Sequence, residues 1–359
     1  TPRWRRRPPL SRSRPILIIG GGLAGTALAW RLHERGAPFL LVDRDAPVTA
    51  SKIAAGLVTP ITGMRLTLSW RYSAFHAEAL RFYRDKEALL GGVFFYETPV
   101  VRLLRSEKEV HRWQERRAQP EIASFIHATR EPLVNDAVFA NPHGGFEQRP
   151  AGWLDTAAWL QASRDFFTRQ GAWLTGEVAA DALQVNAGSA SWDGREYESA
   201  VFCTGWEAAR HPWFDWAPFK SARGTILTLR ADLGGERRVI SSGCWVVPRA
   251  DGSARAGPTY EIPFTAPHTP AREAVAGLEA KLRAMVRADF QVIEEQTAVR
   301  PIVHGHEALL GLHPGRPRVA ILNGLGSKGV LRSPWLARHL VEHLLDGAPL
   351  EPAVDLAAH

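Results

Sequence analysis

Three glycines near the start of the chain have the spacing of a phosphate-binding loop. Gly20, Gly22 and Gly25 form the pattern G-x-G-x-x-G, and Asp43 follows 23 residues after the first of them. In such a pattern the first glycine permits a tight turn, the second lets the backbone approach a pyrophosphate, and the third lets a helix pack closely on a strand. An acid at this distance accepts hydrogen bonds from ribose hydroxyls. These four residues predict a dinucleotide site, and the alternative is a glycine-rich turn without a ligand.

The elements that would position this loop are visible on either side of it. Residues 16–19 are a short, fully apolar run, which is typical of a buried parallel strand. Residues 24–35 have helical periodicity and are followed by Gly36, a residue that suits a helix C-terminus, and residues 39–42 form a second apolar strand. A helix that begins directly after the glycines offers free N–H groups and the positive end of its dipole to phosphates. The order supports a dinucleotide site but does not separate FAD from NAD.

Further segments carry a resemblance to a known family. They are Ala-Ser-Lys-Ile-Ala-Ala-Gly-Leu-Val-Thr-Pro at 50–60, Ala-Val-Phe-Cys-Thr-Gly at 200–205, Ala-Arg-Gly-Thr at 222–225, the strand-turn-strand at 245–259, Arg-Pro at 300–301 and Asn-Gly-Leu-Gly-Ser-Lys-Gly-Val at 323–330. With the N-terminal motif they resemble the D-amino-acid oxidase/glycine oxidase family (DAO family) of FAD-dependent oxidoreductases, over essentially residues 15–346. The run at 324–329 is especially similar to the oxidase half of the bifunctional tRNA wobble-uridine modification enzyme. The resemblance implies that the single glycine motif serves FAD and not a nicotinamide cofactor.

The family resemblance also implies a fold. We expect an α/β chain of the α+β two-domain type, in which a Rossmann-like FAD-binding domain is interleaved with a β-sheet-rich substrate domain. The FAD-binding domain would take residues 15–60, 145–210 and 300–350, and the substrate domain residues 61–144 and 211–299. Local patterns predict helices over 155–170 and 270–289, the second as a cover, and strands over 224–230, 238–248, 253–260 and 313–322. The polar region 106–144 is expected to be irregular.

The resemblance implies a set of residues that hold FAD without a covalent link, because Cys203 and Cys244 both lie away from the position of the family's flavin-linked cysteine. The segment 324–329 at a helix start is expected to stabilise negative charge on the reduced flavin. Lys52 and Lys328 each leave two alternatives open, a contact at the flavin or a solvated side chain. The expected cofactor residues are Gly20, Gly22, Leu23, Ala24, Gly25, Asp43, Arg44, Ser51, Lys52, Ala55, Gly56, Leu57, Val178, Thr204, Gly205, Gly324, Leu325, Gly326, Ser327, Lys328 and Gly329.

Arg300 is the expected substrate residue, because the arginine of the family's Arg-Pro motif binds a carboxylate and a guanidinium fork does so with two hydrogen bonds. The alternative is a structural salt bridge. Arg255 is a candidate positive charge that helps oxygen accept electrons, with an exposed strand arginine as the alternative. Tyr260 and Trp245 either line the substrate pocket or pack in the core. With Lys328, these arginines complete the expected catalytic set, and no metal site is expected, since the histidines lack ligand spacing.

Charge and composition limit the other classes of function. The chain has 359 residues and a formal net charge of +7, but six arginines fall within residues 1–14, which contain no acid. The remaining 345 residues therefore carry a net charge of only +1. Residues 1–14 are expected to be a disordered basic tail, either an arm for nucleic acid or another partner or a leader without functional weight. Two cysteines exclude a disulfide framework, no apolar stretch is long enough to span a bilayer, and a cytoplasmic location is expected.

These features together predict an FAD-dependent oxidation of the C–N bond of an amine or amino acid. A hydride would pass from the α-carbon to flavin N5, the imine would hydrolyse, and oxygen or another acceptor would reoxidise the flavin. The first alternative is a tRNA-modifying oxidase that acts on carboxymethylaminomethyl-uridine; nucleic acid is a possible partner but is not favoured by the nearly neutral body. The second alternative is a flavin-binding protein without catalysis.

Overall fold

The computed structural model describes residues 14–127, 132–305 and 307–358. Except for Arg14, the expected basic tail lies outside the described residues, and so does His306. Arg14 itself pairs with Glu196 at 2.9 Å. None of the helices in these three ranges is long and apolar enough to cross a membrane.

The chain alternates between short strands and helices. The helices are α1 (Leu23–Glu34), α2 (Ala50–Ile53), α3 (Tyr72–Leu90), α4 (Glu107–Arg116), α5 (Pro120–Ala123), α6 (Thr156–Arg169), α7 (Arg272–Met285) and α8 (Gly329–Asp346), with 3-10 turns at Gly205–Arg210 and Leu356–Ala358. The strands are β1 (Ile16–Ile19), β2 (Phe39–Asp43), β3 (Leu57–Val58), β4 (Ile61–Thr62), β5 (Thr67–Leu68), β6 (Phe95–Glu97), β7 (Val100–Leu103), β8 (Ile126–His127), β9 (Gly145–Gln148), β10 (Gly152–Leu154), β11 (Trp173–Thr175), β12 (Gln184–Val185), β13 (Ala190–Trp192), β14 (Arg195–Tyr197), β15 (Ser199–Phe202), β16 (Ala222–Ala231), β17 (Val239–Ser241), β18 (Trp245–Pro248), β19 (Ser253–Gly257), β20 (Phe290–Arg300), β21 (Leu309–His313) and β22 (Arg316–Asn323).

A six-stranded sheet, in the order β11-β2-β1-β15-β22-β21, holds the N-terminal motif at its centre. β1 pairs in parallel with β2 on one side and β15 on the other, and only β21 at the edge is antiparallel. Both faces of β1 are buried, because Ile16 and Ile18 pack with α1 and α8 while Leu17 and Ile19 pack on the opposite side. This confirms the predicted strand, glycine turn, helix and second strand.

The second large sheet has eight strands, in the order β20-β16-β19-β18-β17-β7-β9-β8. One face is covered by α7, whose Leu278, Leu282 and Met285 pack among the sheet's apolar residues, as expected of a covering helix. β9 belongs to this sheet, although the expected FAD-binding segment begins at residue 145. The division into domain segments stays a prediction.

Two regions differ from their local expectations. The polar region 106–144 is not irregular throughout, because it contains α4, α5 and β8. Ser106 caps α4 by accepting from the Glu109 N–H at 3.3 Å, and the Glu109 carboxylate accepts from the Arg105 N–H at 3.0 Å, so a short capping motif starts the helix. The strand expected over 313–322 is β22, which begins three residues later, because His313 ends β21 and Pro314 and Gly315 form the turn between the two strands.

Candidate functional site

A continuous cleft begins at the carboxyl edge of the six-stranded sheet and ends against the eight-stranded sheet. It consists of two adjoining cavities that share Gly22, Ser51, Cys203, Gly205 and Pro301 in their walls, among others. One cavity extends toward the ends of β1 and β2, and the other toward β16, β18 and β20. An elongated cleft of this kind suits a long ligand with one end on each sheet.

The convergence of distant segments on the cleft follows from the topology. β1, β2, β15 and β22 run in parallel, so the loops that follow them emerge at one edge of the sheet. The expected residues after β1, β2 and β15 line the cleft with the exception of Gly25, and so do Leu325, Gly326, Ser327 and Gly329 after β22. Parallel pairing therefore unites loops that lie some 300 residues apart in the chain.

At each of the three glycines of the loop, a side chain would collide with another part of the protein. Gly20 has a φ of +104°, and a Cβ there would lie 2.6 Å from the carbonyl oxygen of Cys203. A Cβ at Gly25 would overlap the carbonyl oxygen of Gly20, so α1 packs against the turn only because no side chain intervenes. A Cβ at Gly22 would fill the cleft side of the turn, 2.8 Å from Ser51 Oγ. This empty cradle at a helix N-terminus fits a pyrophosphate.

Asp43 holds the shape of this loop. One carboxylate oxygen accepts from the Gly21 N–H at 2.6 Å and the other from the Asp45 N–H at 2.8 Å. The carboxylate lines the cleft and keeps lone pairs for ribose hydroxyls, so the expected contact stays compatible with this arrangement. Val178 lines the same end, where a nucleoside would lie.

Two predicted basic residues at this end are engaged by acids. Arg44 pairs with Glu207, and this hydrogen bond raises the guanidinium pKa above its usual value. Lys52 donates from Nζ to Asp45 at 2.8 Å and to the carbonyl oxygen of Ala46 at 2.7 Å. Both residues border the cleft, but their charges are satisfied by the protein. Ser51 is placed differently, since its Oγ accepts from the Leu23 N–H at 3.1 Å in the shared wall.

Small residues form the wall at the other end. Ala55, Gly56 and Leu57 line the cleft after α2, and Gly56 has a φ of +75° at a point where a Cβ would overlap the carbonyl oxygen of Leu154. The segment from Leu325 to Gly329 faces them and leads into α8. The wall thus combines close backbone approach with the positive end of a helix dipole, which fits a flat ring that becomes negative on reduction.

Two expected cofactor residues support the wall without lining it. Gly324 has a φ of +76°, and a Cβ there would overlap the side chain of Val303. Lys328 is the N-cap of α8, and its Nζ donates to Ser69 Oγ at 3.0 Å. Burial lowers the pKa of Lys328 below its usual value, so this ammonium is not a solvated surface charge.

Arg300 ends β20 and extends its guanidinium into the wall of the cleft. Nη2 donates to the carbonyl oxygen of Thr259 at 3.1 Å, whereas Nη1 is buried and has no hydrogen-bond partner within the described residues. No acid of the described ranges forms a salt bridge with it, so the structural alternative lacks a partner there. Burial lowers the pKa of Arg300 below its usual range. An unpaired buried guanidinium N–H is costly, and an anionic ligand would satisfy it.

The other expected substrate and catalytic residues occupy different positions. Trp245 lines the cleft. Tyr260 is 63% exposed, and Cζ of Arg300 lies over its ring, 5.9 Å from the ring centroid. Arg255 lies behind the wall, where Nη2 donates to the carbonyl oxygen of Ile53 at 2.8 Å and to Gln296 at 3.2 Å. Its burial lowers the guanidinium pKa, so it is not an exposed strand arginine.

Several wall residues were not among the expected site residues, although most of them lie within the segments that carry the family resemblance. They are Ala50, Ile53, Ala54, Cys203, Gly224, Ile226, Pro258, Ala298 and Pro301. Cys203 directly precedes the Thr-Gly pair, which was the signal for its position, and burial raises its thiol pKa far above the usual range. Within residues 14–127, 132–305 and 307–358, no group of three or more His, Cys, Asp or Glu side chains could hold a metal ion.

Comparison with known proteins is consistent with this geometry. The chain is 25% identical to the tRNA 5-methylaminomethyl-2-thiouridine biosynthesis bifunctional protein MnmC of Marinobacter nauticus, over 92% of this chain and 55% of that protein. It is 26% identical to the bifunctional protein ThiO/ThiG of a Nostoc species, over 93% of this chain and 53% of that protein. The chain thus spans about half the length of these relatives.

The fold is shared with a solved glycine oxidase from Geobacillus kaustophilus. The two structures superpose with a TM-score of 0.76 at 19% identity, over 96% of this chain and 97% of that one. The profile of the DAO family, described as FAD dependent oxidoreductase, matches residues 15–343. The chain therefore belongs to the DAO family of FAD-dependent oxidoreductases.

Proposed function

We propose that the protein oxidises the C–N bond of an amine that carries a carboxylate, such as an amino acid. The observation that carries this proposal is the buried, unpartnered Nη1 of Arg300 in the cleft wall. A guanidinium without an acid partner is a site for an anion, and a carboxylate matches its fork with two parallel hydrogen bonds. The fold shared with a glycine oxidase supports the same substrate class.

Different residues of the chain would perform different parts of this reaction. Bound FAD supplies the two-electron acceptor for the C–H bond next to the nitrogen. Arg300 holds the carboxylate and thereby orients that C–H bond, while Ile226, Trp245 and Ala298 form a mainly apolar wall that limits water around the reacting atoms. The N-terminus of α8 stabilises negative charge that develops on reduction. Oxygen or another acceptor completes the cycle.

A role of Arg255 toward oxygen stays a prediction. Its guanidinium is one layer behind the cleft, where it holds the backbone of Ile53, and Ile53 itself lines the cleft. Its charge is desolvated and close enough to this wall to add to the local field. Arg255 would act through this field and not by contact with a reacting atom.

The test is anaerobic bleaching of the flavin absorbance by a panel of amines. We expect glycine, sarcosine, proline or a D-amino acid to reduce the flavin, and the matching amines without a carboxylate to reduce it poorly. Reduction by methylamine as readily as by glycine would contradict the carboxylate requirement. Absence of bleaching with every compound would favour a flavin-binding protein without catalysis.

A second candidate is oxidation of a modified uridine in tRNA. It is favoured by one observation, the similarity over 92% of this chain to a protein of tRNA 5-methylaminomethyl-2-thiouridine biosynthesis. Carboxymethylaminomethyl-uridine also presents an amine with a carboxylate, which Arg300 could bind. Salt-dependent binding of tRNA that is lost when residues 1–14 are deleted, together with flavin bleaching by modified tRNA alone, would establish this candidate over the first.

We expect FAD to be held without a covalent link. Cys203 lines the cleft, but burial keeps its thiol protonated, and a thiol rather than a thiolate is a poor nucleophile. Acid precipitation of the yellow protein should therefore release all of the flavin into the supernatant. Flavin that stays with the precipitated chain would disprove this expectation, and Cys203→Ser would then show whether this thiol forms the link.

Lys328 is expected to raise the reduction potential of the flavin. Its ammonium is desolvated at the start of α8, whose first residues line the cleft, so it adds to the positive field there. Lys328→Met should lower the midpoint potential by about 30 mV, which corresponds to a tenfold shift in a two-electron equilibrium. Lys328→Arg, which keeps the charge, is the matched control. Equal potentials for the methionine and arginine variants would contradict this role.

A further inference from the structure

The route of the Arg300 side chain across the sheet points to a residue that was not among the expected site residues. Arg300 pairs with Ala222 at the end of β20, so its backbone lies on one side of β16. Its Nη2 contacts the carbonyl oxygen of Thr259, which lies on the other side, because the Thr259 N–H donates to Thr225 at 3.1 Å. The guanidinium must therefore cross over β16.

The crossing occurs at Gly224. A Cβ at this position would lie 2.5 Å from Cζ and 2.5 Å from Nη1 of Arg300, and closer still to Nη2. All three of these nearest atoms belong to the guanidinium, and none belongs to the backbone. Gly224 does not have a left-handed φ, so alanine fits its backbone conformation without strain. A methyl group here would therefore collide first with the guanidinium of Arg300.

The surroundings keep the guanidinium free once it has crossed. Glu261 is a carboxylate whose charge acts on Arg300, but it already pairs with Arg223 and accepts from Thr259 Oγ1 at 2.9 Å. The Thr259 hydroxyl in turn accepts from the Thr225 N–H at 2.8 Å. Because Glu261 is held by these partners, Nη1 of Arg300 is left for a ligand.

We propose that Gly224 is a positioning residue for substrate carboxylates. The absence of a side chain at Gly224 allows Arg300 to lie flat across β16 with Nη1 in the cleft wall. This inference rests on the proposed role of Arg300 and deepens it, since it names the residue that sets the position of the carboxylate-binding group. In Gly224→Ala the guanidinium is displaced, and carboxylated ligands lose their partner.

A competing explanation is that alanine at 224 simply fills part of the cleft, because Gly224 also lines it. The two explanations differ in a background without the guanidinium. If Gly224 acts through Arg300, then Gly224→Ala should have no further effect once Arg300→Ala is present. If the methyl group excludes the ligand directly, its effect should persist in the double variant. A double-mutant cycle therefore separates the two explanations.

The experiment compares the wild type, Gly224→Ala, Arg300→Ala and the double variant, each loaded with FAD. The dissociation constant of acetate is measured from the change in flavin absorbance. For the carboxylated amine that bleaches the flavin, it is obtained under anaerobic conditions from the dependence of flavin reduction on amine concentration, or from the binding of an analogue that reacts slowly. Gly277→Ala is the matched control, because a Cβ there meets nothing within 4 Å. We expect Gly224→Ala to weaken acetate binding about tenfold or more in the wild-type background, and less than about twofold in the Arg300→Ala background.

Each result decides a separate claim. Arg300→Ala without effect on acetate binding would overturn the proposed carboxylate site itself. A clear effect of Arg300→Ala, with Gly224→Ala within about twofold of wild type, would overturn only the role of Gly224. An effect of Gly224→Ala that persists in the double variant would assign it to direct filling of the cleft. If Gly224→Ala proves unstable, its thermal midpoint should recover in the double variant, because the collision is then absent; no recovery would also overturn the inference.

Discussion

Arg300→Ala should raise KM for a carboxylated amine about 100-fold while the protein keeps its FAD. Two charge-assisted hydrogen bonds to a carboxylate, at about 1.5 kcal/mol each, amount to about 3 kcal/mol, and this energy corresponds to roughly a 100-fold change in binding. The fold should survive, because the described contacts of the guanidinium are one hydrogen bond to Thr259 and the ring of Tyr260. Steady-state kinetics on the wild type and the variant measure the effect.

Two controls make the Arg300→Ala result specific. Arg272 is a surface arginine whose side chain is 77% exposed, so Arg272→Ala removes the same group without a change in KM. The matching amine without a carboxylate should react with the same KM in the wild type and in Arg300→Ala. An equal loss for both kinds of amine would show that Arg300 supports the site in general and does not recognise a carboxylate.

Gly25→Ala should abolish tight binding of FAD, with a rise in the dissociation constant of about 100-fold or more. The added methyl group overlaps the carbonyl oxygen of Gly20, so α1 must move away from the turn that forms the phosphate cradle. The methyl carbon is held in place by the backbone of α1 and its partner is a backbone oxygen, so no change of rotamer relieves the collision. Overpacking of this kind also costs about 1–3 kcal/mol of stability. Fluorescence titration of the apoprotein with FAD measures the affinity.

A second variant separates loss of the cofactor site from loss of the fold. A Cβ at Gly22 meets only the Ser51 side chain, at 2.8 Å from Oγ, and points to the cleft. Gly22→Ala should therefore leave the apoprotein's thermal midpoint close to that of the wild type and still weaken FAD binding. Gly277→Ala should leave the FAD affinity unchanged, while alanine in the interior of α7 should raise the thermal midpoint slightly. Normal FAD affinity in both Gly22→Ala and Gly25→Ala would place the phosphates elsewhere.

The glycine loop illustrates how far a local pattern reaches. Gly25 is required by the carbonyl oxygen of Gly20, five residues earlier, whereas Gly20 and Gly22 also leave room for Cys203 and Ser51. The capping motif at Ser106 is as local as the Gly25 contact, although the polar composition of its region predicted irregular structure. Such local requirements are visible in the sequence because both partners lie within a few residues of each other.

The partners of the charged side chains could not be predicted from local patterns. Lys52, Arg44 and Lys328 occupy the segments where the resemblance implies cofactor contacts, yet their side chains are held by Asp45, Glu207 and Ser69. The local sequence does not predict these partners, because a long side chain can pair with any group that the tertiary structure places within its reach. Arg255 likewise contacts the backbone of Ile53, some 200 residues earlier.

The family, the cofactor class and the glycine turn could be predicted from the sequence, because they depend on residue types at fixed spacing along the chain. The tertiary structure was needed to find that Nη1 of Arg300 is left without a partner among the described residues. The parallel strands bring four distant loops to one edge, and the register of β20 on β16 carries Arg300 over Gly224 to Thr259. Whether a guanidinium is satisfied by an acid or is free for a ligand depends on the neighbours that packing supplies, and the spacing of residues in the chain does not encode those neighbours.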